Sequence, residues 1–143
     1  MTNRICLFTT AALLATACTG NRTEGTEGTT TCYTYATDND GIMLRLNRRG
    51  NSVEGELTYI LYEKDMNKGT ISGVMEDDTL FADYTFTSEG TTSVREVAFV
   101  KRGNELVEAF GEVAEQDGKF IFRDRSLLTL NENVVLREAE CGN

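Results

Sequence analysis

Histidine, tryptophan and proline are all missing from these 143 residues, and bases are scarce, with 14 Lys+Arg against 23 Asp+Glu. Without histidine there is no Ser-His or Cys-His nucleophile, no imidazole acid or base and no His-ligated metal site. A formal charge of -9 argues against nucleic acid as a partner, because phosphate binding depends on clustered Lys and Arg that displace counterions. No apolar run approaches the roughly 20 residues that span a bilayer as a helix. What remains is 40% hydrophobic and 26% charged, the make-up of one soluble domain with one modest core.

Met1 to Arg4 give the chain a short basic start. Ile5 to Ala17 form an apolar stretch broken by Thr9, Thr10 and Thr16, and the small residues Ala15-Thr16-Ala17 precede Cys18. This is the layout of a signal peptide over residues 1–17. Leu14-Ala15-Thr16-Ala17-Cys18 resembles the lipobox of bacterial lipoproteins, with Ala15 where Leu is commonest. The resemblance implies that Cys18 becomes the first residue of the mature chain and carries the acyl chains, palmitate among them. Thr19 follows, where Asp would retain the protein at the inner membrane, so the resemblance implies sorting to the outer membrane, on its periplasmic or its surface face. The alternative is an ordinary secretory signal, with Cys18 incidental.

Lipidation has a physical consequence. At about 0.8 kcal/mol per buried CH₂ one acyl chain holds weakly, whereas two or three on one residue hold almost permanently. The rest of the molecule is then a domain on a leash, and residues 18–31 read as that leash. Thr19 to Thr31 contain no large apolar side chain and carry Thr-Glu-Gly twice, at Thr23 to Gly25 and Thr26 to Gly28. Such a stretch cannot offset its ordering entropy and has a mean span of roughly 20 Å as a loose coil. Loss of residues 1–17 leaves 126 residues and removes Arg4, which takes the charge to -10. Cys6 leaves with the signal and Cys18 is taken by lipid, so Cys32 and Cys141 are the natural disulfide pair in an oxidising envelope. The alternative is two separate thiols. A bond between them closes a loop worth about 4 to 5 kcal/mol at most.

Between those cysteines the hydrophobic residues alternate. Ile42, Leu44 and Leu46 share a face, as do Val53, Gly55, Leu57, Tyr59 and Leu61, and again Leu80, Ala82, Tyr84 and Phe86. Period two means strand. Further strands are predicted over Thr70 to Glu76, Ser93 to Lys101, Glu105 to Gly111 and Lys119 to Arg123, with one or two short ones over Leu127 to Leu130 and Val134 to Arg137. Arg49-Gly50-Asn51, Asp77-Asp78, Arg102-Gly103-Asn104 and Gln116-Asp117-Gly118 supply the turns. No 3.6-residue pattern is sustained. The fold class is therefore all-β, an antiparallel meander over residues 32–143 that closes into a small barrel of about eight strands, which removes the two sticky edges of an open sheet. A two-sheet sandwich is the competing architecture.

Cys32-Tyr33, Gly55-Glu56-Leu57-Thr58-Tyr59 leading to Glu63-Lys64-Asp65, Asp78-Thr79-Leu80 with Ala82-Asp83-Tyr84, and Ser88-Glu89-Gly90 before Ser93-Val94-Arg95-Glu96-Val97 span most of the domain. Together they resemble a group of small Bacteroidota outer-membrane lipoproteins of unassigned activity, and more loosely the calycin-type barrels. The resemblance implies a tethered barrel and no particular chemistry. It also implies that Asp78-Thr79-Leu80 fits that phylum's O-glycosylation pattern at Thr79, where a plain hairpin turn explains the same residues.

Arg95 shares a face with Val97 and Phe99, which predicts an inward cation near one barrel end, with Asp83 and Glu96 close by in neighbouring strands or positions. Its planar fork suits a carboxylate or phosphate ligand, but the plainer reading is an internal ion pair closing the barrel end, because a buried Arg needs a protein partner whether or not a ligand exists. Thr37 to Gly41 and Glu63 to Gly69 lack calcium-loop spacing, since Ala36, Asn47 and Lys68 stand where ligands or glycine are needed. The exposed carboxylates Asp77, Asp78, Glu112 and Glu115 lack the burial that separates the pKa values of a glycosidase pair. No enzyme, metal or cofactor is expected. Two function classes lead, ahead of an enzyme that would work with carboxylates and tyrosine alone. One is a non-catalytic envelope binding module for a small apolar or acidic ligand. The other is an interaction or inhibitor protein whose acidity steers it to a basic envelope protein.

Overall fold

The computed structural model describes residues 27–64 and 66–142. The expected signal peptide, Cys18 and the linker up to residue 26 lie outside them. The chain is all-β: β1 (Thr29–Ala36), β2 (Gly41–Arg49), β3 (Ser52–Ile60), β4 (Asn67–Glu76), β5 (Thr79–Ser88), β6 (Thr91–Arg102), β7 (Glu105–Phe110), β8 (Val113–Gln116), β9 (Lys119–Phe122) and β10 (Thr129–Ala139), with a 3₁₀ turn at Arg125–Leu127. Strands β1 to β7 pair in sequence, β10 fills the gap between β7 and β1, and the ring of eight antiparallel strands is closed.

Two differences from the expected meander matter. Strand β1 begins at Thr29, so Thr29, Thr30 and Thr31 of the expected linker pair with Arg48, Asn47 and Leu46. Of the one or two short strands expected over Leu127 to Leu130 and Val134 to Arg137, the structure gives one long strand, β10, whose register shifts between Leu130 and Val135. The chain also leaves the ring after β7: β8 and β9 form a hairpin outside it, and β9 pairs in parallel with β6 at Val94 and Arg95.

The turns explain how so few residues reverse the chain. Positive φ occurs at both central residues of Glu89-Gly90 and Asp117-Gly118, as type I′ turns require, and at the first only of Gly50-Asn51, Asp77-Asp78 and Gly103-Asn104, the pattern of type II′. Small barrels also need sharp strand coiling. A side chain at Gly69 or Gly73 of β4 would collide with the backbone oxygens of Thr85 and Phe81, both at 2.0 Å from the would-be Cβ, so glycine permits the close approach of β5 there.

Inward positions fill the ring. Leu44, Leu57, Ile71, Leu80, Tyr84, Val97, Phe99, Leu106 and Leu136 form a continuous buried core with Tyr59 and Tyr33. A second core lies outside the wall, where Ala98, Ala109 and Phe122 are covered by Phe81, Leu128 and Leu130. This outer core is why both faces of β6 are buried over Val97–Phe99. Among the described residues both cores draw on Tyr33 to Leu136, and the ring closes through the pairing of β1 with β10. Cys32 and Cys141 are bonded, with Cα atoms 5.2 Å apart and a sequence separation of 109, and they fasten the start of β1 to the end of β10.

Candidate functional site

The barrel has two ends of different character. One carries the start of β1, the disulfide and the short turns at Gly50, Asp77 and Gly103, and is called here the terminus end. The other carries the loop Thr37–Asp40, the segment Leu61–Lys64 after β3 and the turn Glu89-Gly90, and is the loop end. Tyr62 N–H donates to Asp40 Oδ1 at 2.7 Å, which ties two of these loops together. Ile60, Leu61, Tyr62 and Met66 are exposed there.

Arg95 points into the barrel at the loop end, as its face-sharing with Val97 and Phe99 predicts. Its guanidinium carbon lies 5.1 Å from the Tyr59 ring centroid and 5.5 Å from those of Tyr84 and Phe86. Tyr84 and Phe86 stack at 4.8 Å, so the cation rests against an aromatic wall. That wall follows from alternation, since Tyr84 and Phe86 face inward on β5 and Tyr84 pairs with Arg95 itself. Arg95 Nε is buried and has no hydrogen-bond partner among the described residues.

The expected carboxylate neighbours are elsewhere. Asp83 and Glu96 occupy the opposite face of the same two strands and point outward, so the wall separates them from Arg95. Asp83 pairs with Lys119 of β9. Glu96 is buried, accepts Phe122 N–H at 2.8 Å and Arg125 Nε–H at 2.9 Å, and Arg125 continues to Glu76 at 3.1 Å while lying 4.2 Å from the Phe81 ring centroid. These groups line a cleft of about 390 Å³ between the wall and the β8–β9 hairpin. Each charge in it that came from the sequence reading is already paired. The cluster is a clasp that holds the excursion against the barrel, and the Phe122 amide it satisfies would otherwise be buried without a partner.

The carboxylate that does face Arg95's end of the interior is Glu108, on β7 opposite Phe99. Tyr59 donates its hydroxyl to Glu108 Oε1. Burial pushes the Glu108 carboxyl above its ordinary value, against the pull of the Tyr59 hydrogen bond and the Arg95 charge. Burial and the Glu108 charge push the Tyr59 hydroxyl well above 10, and burial raises Tyr84 to about 12, so both phenols are neutral donors at physiological pH. Tyr84 donates to the Asn67 carbonyl at 2.9 Å, while Asn67 Oδ1 is a second buried atom without a partner among the described residues.

Glu108 was legible in principle. Counting back across the Gly103-Asn104 turn sets Arg102 opposite Glu105 and Phe99 opposite Glu108, which puts Glu108 on the inward face with Arg95. Thr79 is the first residue of β5, half-buried and opposite Val100 at the terminus end. No family model matches the chain, and neither a curated protein nor a solved structure matches it.

Proposed function

We propose that this chain is a non-catalytic binding module of a bacterial envelope, anchored in the outer membrane by acylated Cys18, which takes a small acidic ligand on Arg95 at the loop end of its barrel. The observation that carries the reading is the unpartnered Arg95 Nε, buried against three aromatic rings. A buried guanidinium N–H without an acceptor is costly, and a carboxylate or phosphate at the loop end would supply the acceptor together with a countercharge. The packed interior leaves the ligand's body at the mouth, beside exposed Leu61, Tyr62 and Met66. Non-catalysis is supported by the neighbours: Glu108 already accepts from Tyr59, and neither phenol ionises near neutrality.

Native mass spectrometry of residues 27–143 after exposure to envelope extract tests the ligand. A retained acidic small molecule that Arg95→Leu loses, with the thermal melt preserved, supports the reading. Retention unchanged in Arg95→Leu contradicts it. Mass analysis of the native amino terminus tests the anchor, with acylated Cys18 expected and an unmodified Met1 contradictory. A second reading, capture of a basic envelope protein, is favoured by the formal charge of -9. It predicts that salt strips the retained partner, because surface attraction is screened over about 8 Å at physiological ionic strength.

A further inference from the structure

The terminus end holds a second opening that none of the readings above uses. The inward faces of β2, β3, β4, β6 and β7 end there in a well of about 350 Å³, floored by Leu46, Val53, Met75 and Leu106 and rimmed by Arg48 and Lys101. Leu46 and Met75 keep 8% and 7% of their surface, whereas Leu44 and Leu80 deeper in the ring keep 1% and 0%. The core therefore stops short of the mouth, and its last apolar side chains face the well.

The rim is distinctive because both charged side chains that line the well are cations. Acids outnumber bases 23 to 14 in this chain, and among the described cations Arg102, Lys119, Arg125 and Arg137 are in ion pairs while most others are not. Arg48 and Lys101 are in none among the described residues. Arg48 uses only Nε, toward the Gly50 carbonyl at 2.7 Å, so its terminal amino groups remain to donate. Lys101 is fixed through its backbone N–H, which donates to the Asp78 carbonyl at 2.7 Å, leaving the ammonium at the rim. Aliphatic stems alone would explain covering an apolar floor, but they do not call for two unpaired positive heads at one opening. Glu138, opposite Tyr33 on the same register, is a carboxylate on this side, and it is not among the residues that line the well.

We propose that this well binds a single-chain anionic amphiphile, with the tail on Leu46, Val53, Met75 and Leu106 and a carboxylate or phosphate head between Arg48 and Lys101. Its volume is at the small end of ligand sites, which suits one chain. The site does not depend on acylation of Cys18 or on Arg95.

Calorimetric titration of residues 27–143 with dodecyl phosphate, laurate, dodecanol and inorganic phosphate tests it. Dodecyl phosphate and laurate are expected to bind, and dodecanol and inorganic phosphate to bind at least tenfold more weakly, each lacking one half of the contacts. Arg48→Gln and Lys101→Gln should each weaken dodecyl phosphate about tenfold or more, the scale of a lost charge-assisted hydrogen bond. Thr31→Trp, which fills the mouth while leaving both cations, should abolish uptake, and Thr29→Trp repeats the block from the strand's first residue if the former variant does not fold. The proposal is overturned by any of three results. These are dodecanol binding as tightly as laurate, wild-type affinity in the Arg48→Gln/Lys101→Gln double variant, or affinity weaker than about 1 mM for every probe.

Discussion

The two ends of this barrel hold their cations in opposite ways. At the loop end Arg95 is drawn inside, laid against Tyr59, Tyr84 and Phe86 and left with one buried donor unmatched. At the terminus end Arg48 and Lys101 stand at the rim of an open apolar well and keep their heads in water. The difference comes from what the inward positions carry. Three aromatic rings crowd one end, whereas Thr29, Thr31 and the ends of β2 and β6 leave the other unfilled. On the proposed reading, the enclosed cation would select a small anion by geometry, since only an acceptor that reaches Nε relieves it, and the rim cations over an apolar floor would select an amphiphile by composition.

The sharpest way to break the comparison is to remove a ring from the enclosed end. Tyr84 has no exposed surface, so Tyr84→Ala is expected to cost about 3–5 kcal/mol in denaturant melts and to weaken anion uptake at Arg95 with it. Opening the other end is the next largest test. Replacing Cys32 and Cys141 with serine should cost about 2–5 kcal/mol, and amide exchange should rise first where β1 meets β10. The clasp between the ends comes third. Glu96→Ala leaves Phe122 N–H and Arg125 Nε–H without their acceptor and should cost about 1–3 kcal/mol, with exchange rising in β8 and β9 while the ring stays protected.

A pH series sharpens the contrast further, because the loop end buries a carboxyl, Glu108, with a raised pKa. The folded state holds the Glu108 proton more tightly than the unfolded chain does, above the ordinary 4.5. Its contribution to stability is full below about that pH and is lost as pH rises through the folded value. Glu108→Gln should therefore remove this part of the decline between acid and neutral pH, as read from melting curves. The smallest effect is at the turns. Asp77 occupies a left-handed φ of 51° that suits glycine, and Asp77→Gly is expected to raise stability by up to about 1 kcal/mol. Gly90→Ala at the loop end, with φ at 77°, should lower it by about the same.

Much of the ring was readable from alternation alone, since Ile42, Leu44 and Leu46, or Leu80, Ala82 and Tyr84, have no other way to share a face. The turn residues set the strand boundaries within a few positions, and the bond between Cys32 and Cys141 was anticipated by elimination, with Cys6 expected to leave with a signal peptide and Cys18 to carry lipid. The excursion was not readable. β8 and β9 have four residues each, too few for a period to declare itself, and nothing local reveals that β9 lies outside the ring against β6. That one contact misplaced the site. Because Glu96 and Asp83 neighbour Arg95 in sequence or register, they looked like its partners, yet on a strand the adjacent position faces the other way. Their buried or paired state is created by Phe122, Lys119 and Arg125 arriving from the excursion. The start of β1 was hidden for a different reason: Thr29 to Thr31 have the composition of a linker and become strand only because β2 offers them a partner edge.

Arginine Nε–H groups can be observed directly by nitrogen-edited NMR of residues 27–143 during titration with a small carboxylate such as benzoate. The account predicts a saturable shift at Arg95 Nε–H, with slower solvent exchange, and little change at Arg48. If the Arg95 Nε–H signal is unmoved at saturating carboxylate, or already shows the shift of a hydrogen-bonded group in the free protein, the proposed loop-end site is wrong.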